Sequence, residues 1–153
     1  MAARPDTASR HTFLIADGTW EAHGTGWVGD DAREARITGN TEIRVLGPGA
    51  LVVESSMTVH ADVPFEVRQH YEVRGTAVPE RYRFVSRNDR LGELRGEISL
   101  LPEHIMLHYA SAKGRFRGSE VLIRRAVDHY TAIGQFIADN HTQTMWEVEL
   151  RRT

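Results

Sequence analysis

The chain has 153 residues, 41% of them hydrophobic, which is the size of one ordinary domain that buries its own core without staples. Its formal net charge of -2, from 19 Lys and Arg against 21 Asp and Glu, supplies no basic field for phosphate backbones or anionic lipid, so neither nucleic acid nor a membrane is an expected partner. Cysteine is absent, which removes disulfides, thiolate nucleophiles and Cys-ligated metal and fits a reducing compartment.

In chain order, residues 1–12 read as a flexible tail that includes His11, and 13–153 as a single β-barrel domain. The apolar run from Phe13 to Ala16 is too short for a signal h-region, so a cytoplasmic location is expected. Strands are then predicted at 18–28, 33–46 and 50–60, separated by turn signals such as Gly47-Pro48-Gly49. The fourth, at 65–74, has the clearest rhythm. Phe65, Val67, Gln69, Tyr71 and Val73 alternate strictly with Glu66, Arg68, His70, Glu72 and Arg74, a strand with one wet face. The same period continues at 81–88, where Tyr82 and Phe84 alternate with arginines, and at 92–101 and 104–111.

Strands at 116–125, 126–137 and 141–152 complete the set. The spacing of Leu122, Ile123, Val127 and Tyr130 also admits a helix over 119–132, and the facing of this region stays open. About ten short-linked strands cannot make parallel crossovers, so the sheet is antiparallel and mostly meandering. A closed up-and-down barrel is expected over a sandwich, because closure removes exposed edges.

Gly18-Thr19-Trp20, followed by Gly24 and Gly26, resembles the Gly-x-Trp entry to the first strand of the calycin superfamily, which includes lipocalins, fatty-acid-binding proteins and nitrobindins. The resemblance implies an Arg on the last strand that packs across this Trp, and Arg152 lies on the face of Trp146, Val148 and Leu150, so a cation–π contact with Trp20 is expected. The short link between the first two strands lacks the helical lid of fatty-acid-binding proteins. The nitrobindin branch would imply haem held by a His near the C-terminus, for which His141 alone is nearby; otherwise no cofactor is expected.

With apolar faces inward, Met57, Gln69, Tyr71, Tyr82, Phe84 and Trp146 line a lumen, an apolar wall with a few orienting polar groups. The same set also suits a filled core. Among titratable groups, His70 and His108 alternate opposite the apolar sets and face solvent. His129 would point inward with Val127, Thr131, Ile133 and Gln135, although Tyr130, Ala132 and Phe136 form an equally apolar opposite set. Glu120 shares a face with Leu122; if that face is inward, Glu120 is a buried carboxyl with a raised pKa, suited to proton transfer. Tyr109, His129 and Glu120 are therefore the candidate catalytic groups.

There is no phosphate-cradling loop, nucleophile elbow, HExxH or dinucleotide fingerprint, and no His pair with zinc spacing. The leading expectation is a barrel that binds a small hydrophobic or amphipathic organic molecule. The alternatives are a cofactor-independent cyclase, isomerase or lyase that uses the lumen and a haem-binding barrel. Homodimer formation through an outer apolar patch is compatible with each.

Overall fold

The computed structural model describes residues 10–153. Ten strands follow one another: β1 (Gly18–Val28), β2 (Arg33–Gly47), β3 (Ala50–His60), β4 (Phe65–Gly75), β5 (Arg81–Asn88), β6 (Gly92–Leu100), β7 (His104–Ala110), β8 (Phe116–Ala126), β9 (His129–Ala138) and β10 (His141–Arg152). Each pairs antiparallel with the next, and β10 returns to β1, so the sheet closes on itself. Residues 119–132 form the β8–β9 hairpin, and the helical alternative for them falls. The reason is local: Arg124 to Asp128 makes a tight connection with a bulge between Arg124 and Ala126, and each strand finds a full ladder of partners.

The connections obey their residues. Asp139 and Asn140 carry φ of 51° and 66°, the two left-handed positions of a type I′ hairpin turn, for which these residue types are preferred. One rim of the barrel carries this turn with the β1–β2, β3–β4, β5–β6 and β7–β8 turns; the other carries the remaining turns and both ends of the described chain.

That second rim is a closed floor. Phe13 and Leu14, 6% and 7% exposed, fold across it onto Trp20 and Tyr130, both 0% exposed. Phe13 stands edge-on to Trp20 at 5.2 Å between ring centres, and Trp20 stands edge-on to Tyr130 at 5.8 Å. Such pairs are favourable beyond the area they bury. The segment is tied further by His11. Its Nε2–H donates to the Leu101 carbonyl at 2.6 Å, which leaves Nδ1 to accept from the Tyr130 hydroxyl at 2.9 Å.

Of the expected tail, residues 1–9 lie outside the described residues, but His11 is 3% exposed and Thr12 bonds both Tyr130 and Val127. The packed domain thus begins before residue 13. Arg152 is the cross-strand partner of Trp20, as the resemblance implies, yet its guanidinium donates to the Asp17 carbonyl at 2.6 Å and is not stacked over the indole. The Asp17 carbonyl and the Asp128 carboxylate at 3.9 Å, not a cation–π contact, take up the charge.

Candidate functional site

Above the floor the barrel encloses a cavity of about 440 Å³, within the range of pockets for small organic ligands. Its shape is set by an alternation across strands rather than along them. In one ring of cross-strand partners, Phe84 faces Gly96, Gly96 faces Tyr109, Tyr109 faces Gly118, and Gly118 faces Phe136. In the next ring, Glu120 faces Gly134 and Gly134 faces Trp146.

Phe84, Tyr109 and Trp146 each lie against the glycine of a neighbouring strand. A Cβ at Gly96 would stand 2.5 Å from Phe84 Cζ, at Gly118 2.2 Å from Tyr109 Cζ, and at Gly134 2.4 Å from Trp146 Cζ2. No side chain at these positions is compatible with the rings where they are. The rings therefore tile the wall instead of filling the lumen, and the space between walls stays open.

The second ring contains the chemistry. With Gly134 offering no side chain, the Trp146 indole spans β9 and its Nε1–H donates to Glu120 Oε2 at 2.6 Å. Burial pushes the Glu120 carboxyl up to about 7, against the pull of the indole bond. The Tyr109 phenol is raised by burial and then by the Glu120 charge; Tyr71 is raised well above its ordinary value by burial, Tyr109 and Glu120. These shifts place Tyr71, Tyr109 and Glu120 in one electrostatic neighbourhood. A carboxyl poised near neutrality in a mostly apolar lumen suits proton transfer or the capture of a cation.

On β2 to β5, across the barrel from β8, lies a second polar ring, in which Thr41, Ser55, Gln69 and Asn88 are successive cross-strand partners. Asn88 Oδ1 accepts from the backbone of Arg90 at 2.8 Å, while Asn88 Nδ2 is buried without a partner among the described residues. Arg90 lines the cavity from the β5–β6 turn and lies over the Phe65 ring at 4.9 Å. Among the described residues, Glu120 and Arg90 are the charged side chains that line the cavity.

Most of the residues expected at the site meet there: Met57, Gln69, Tyr71, Phe84, Tyr109, Glu120 and Trp146 all border the cavity. Two do not. Tyr82 points inward, but it is paired with Gly75 at the start of β5 and packs against the core nearer the floor. His129 points outward, because Tyr130, Ala132 and Phe136 supply the inner face of β9. Its Nε2 bonds the Glu149 carboxylate on the outer wall, where Thr131 also donates to Glu149 at 3.1 Å. His70 and His108 also face outward, beside Glu54 and Glu97.

No histidine borders the cavity among the described residues, and His141 is exposed at the β9–β10 turn. The residues present therefore do not fit a haem with a histidine ligand. Missed in the sequence were Asn88, Arg90, Phe136 and the glycines beneath the rings. The available signal was glycine at inward positions of otherwise regular strands, which marks close approach by a neighbour.

No protein-family model matches the sequence, and comparison with curated proteins finds no significant match. Solved structures do match. An S-type phycobiliprotein lyase from Guillardia theta aligns with TM-score 0.66 at 9% identity, covering 95% of this chain and 90% of that one. Rv2717c from M. tuberculosis aligns with TM-score 0.64 at 14% identity, covering 89% and 91%. A de novo designed fluorescence-activating β-barrel aligns with TM-score 0.50 at 17% identity, covering 98% and 100%. At these identities the likeness shows the fold, a calycin-like ten-stranded barrel.

Proposed function

We propose that this protein binds a small hydrophobic or amphipathic organic molecule in the barrel lumen. The observation that carries the reading is the open cavity of about 440 Å³, kept open by rings laid over Gly96, Gly118 and Gly134 and floored by Phe13 and Leu14. A filled core would place side chains where these glycines stand. Gln69 and Asn88 on one wall and Glu120 on the other are the orienting groups. The names of the lyase and of the fluorescence-activating barrel, both of similar fold, accord with a barrel used to hold an organic molecule. Titration with a naphthalene-sized fluorophore tests it: the native protein saturates at one site per chain, and Val67→Trp, which narrows the lumen near its open rim, weakens binding. A native protein that takes up no such probe ends the reading.

A second reading, chemistry in the lumen without a cofactor, is favoured by one observation: the Glu120 carboxyl held at about 7 beside Tyr109. A base of this kind removes a proton α to a carbonyl. Exchange of the α-protons of an aryl ketone with deuterium, followed by NMR, is faster with the native protein than with Glu120→Gln. Equal rates for the two remove this reading and leave binding intact.

A further inference from the structure

Taking lumen binding as its premise, we infer that the ligand carries a basic nitrogen, an amine protonated in the bound state, which sits against Glu120 inside a cage formed by Tyr71, Tyr109 and Trp146. Three observations carry it. First, Glu120 borders the cavity with one oxygen held by the Trp146 indole at 2.6 Å, and Oε1 has no bonded partner among the described residues. A carboxylate enclosed by apolar walls is costly unless it is matched by a positive charge or hydrogen-bond donors.

Second, the side chains grouped with Glu120 on the cavity wall include three aromatic ones. Tyr109 stands on the neighbouring strand β7, Trp146 reaches across Gly134, and Tyr71 is close enough for the Glu120 charge to help raise its phenol. Rings around one site attract cations through their negative faces, and the effect grows when water is excluded. Third, the charges are segregated. The single cation lining the cavity among the described residues is Arg90, at the turn end with Asn88, whose Nδ2 is a buried, unpartnered donor. The deep site is thus negative, and the outer site offers donors to an acceptor such as a carbonyl or carboxylate. An apolar body with nitrogen inside and oxygen outside matches this polarity.

The titratable groups that face Glu120 are few. On β7 there is Tyr109, on β4 Tyr71; β9 presents Gly134, and β10 presents the indole, which does not titrate. Both phenols are held neutral by burial. Glu120 is then the group that changes charge, and a cationic ligand binds its ionised form. Below about 7 the carboxyl must release its proton before the ammonium can pair with it, so affinity for an amine falls as pH falls. A ligand carbonyl that accepts a hydrogen bond from protonated Glu120 predicts the opposite slope.

The test compares probes of one skeleton, 1-naphthylmethylamine, 1-naphthalenemethanol and 1-naphthoic acid, by calorimetry with the intact chain. The amine binds the native protein at least about tenfold more tightly than the alcohol at pH 8, and this preference disappears at pH 5.5. Glu120→Gln, which keeps an acceptor for the indole, removes the preference at pH 8. The pH series on the native protein stands even if that variant folds poorly. Equal affinities for amine and alcohol at pH 8, a preference that survives in Glu120→Gln, or tightest binding of the acid overturns the basic nitrogen and leaves lumen binding standing. Failure of all three probes to bind overturns both.

Discussion

The indole of Trp146 on β10 donates to the carboxyl of Glu120 on β8 across the full width of β9, and Gly134 is what lets it pass. A methyl group at residue 134 would stand 2.4 Å from Trp146 Cζ2 and 2.8 Å from the Ser119 carbonyl oxygen. Gly134→Ala is therefore expected to destabilise by about 1–3 kcal/mol through overpacking. The cost shrinks when Trp146→Phe is already present, because the smaller ring vacates the contact. A double-mutant cycle by chemical denaturation measures this coupling; additive effects would show that the ring does not need the glycine.

Glu120 gives the fold a pH dependence of definite sign. Its carboxyl holds its proton up to about 7 in the folded state, against 4.5 for the ordinary group. Below 4.5 both states are protonated and the stabilising contribution is complete. Between those values the unfolded chain binds fewer protons, so this contribution is lost as pH rises and is gone above about 7. The loss amounts to at most about 3 kcal/mol. Denaturation midpoints of the native protein minus those of Glu120→Gln should fall across this window, and a flat difference would contradict a buried, unpaired carboxyl.

On the floor, His11 links the Tyr130 hydroxyl to the Leu101 carbonyl. Removing its ring takes the acceptor from the hydroxyl of buried Tyr130 and the side-chain donor from the Leu101 carbonyl, and loosens Phe13 beside it. His11→Ala should cost about 1–3 kcal/mol and speed ligand exchange by opening a second entrance. Thermal unfolding and stopped-flow ligand release check the two effects separately.

His129 offers the converse case. It sits on the outer wall with Glu149, away from the cavity. His129→Ala is expected to cost less than about 1 kcal/mol, as part-exposed ion pairs do, and to leave the affinity of any lumen probe unchanged. A large loss of affinity would place His129 in the site after all.

The strands were readable because most carry one wet face. FEVRQHYEVR and its neighbours announce their facing, and their observed ends fall within a residue or two of the alternation. The β8–β9 hairpin hid its facing because both of its surfaces are oily: Val121, Ile123 and Ile133 outside, Leu122, Tyr130 and Ala132 inside. Period two decides nothing when both sets are apolar, so Glu120 and His129 could not be placed. Tyr82 shows a different gap. Alternation tells which way a side chain points but not its height along the barrel, which depends on the stagger between strands. His11 shows another, since a segment that folds across a barrel end has no period to read.

The closure of the sheet has a kinetic corollary. Every strand pairing except β1 with β10 joins consecutive strands, so nearly the whole meander can zip up from one hairpin to the next at little entropic cost. The seam between Trp20 and Arg152, and the docking of His11 on Tyr130, instead unite distant parts of the chain at the same rim. Folding should thus end in one slow, loop-closing event, before which β8 to β10 already juxtapose the carboxyl and the indole, but in a groove still open to water.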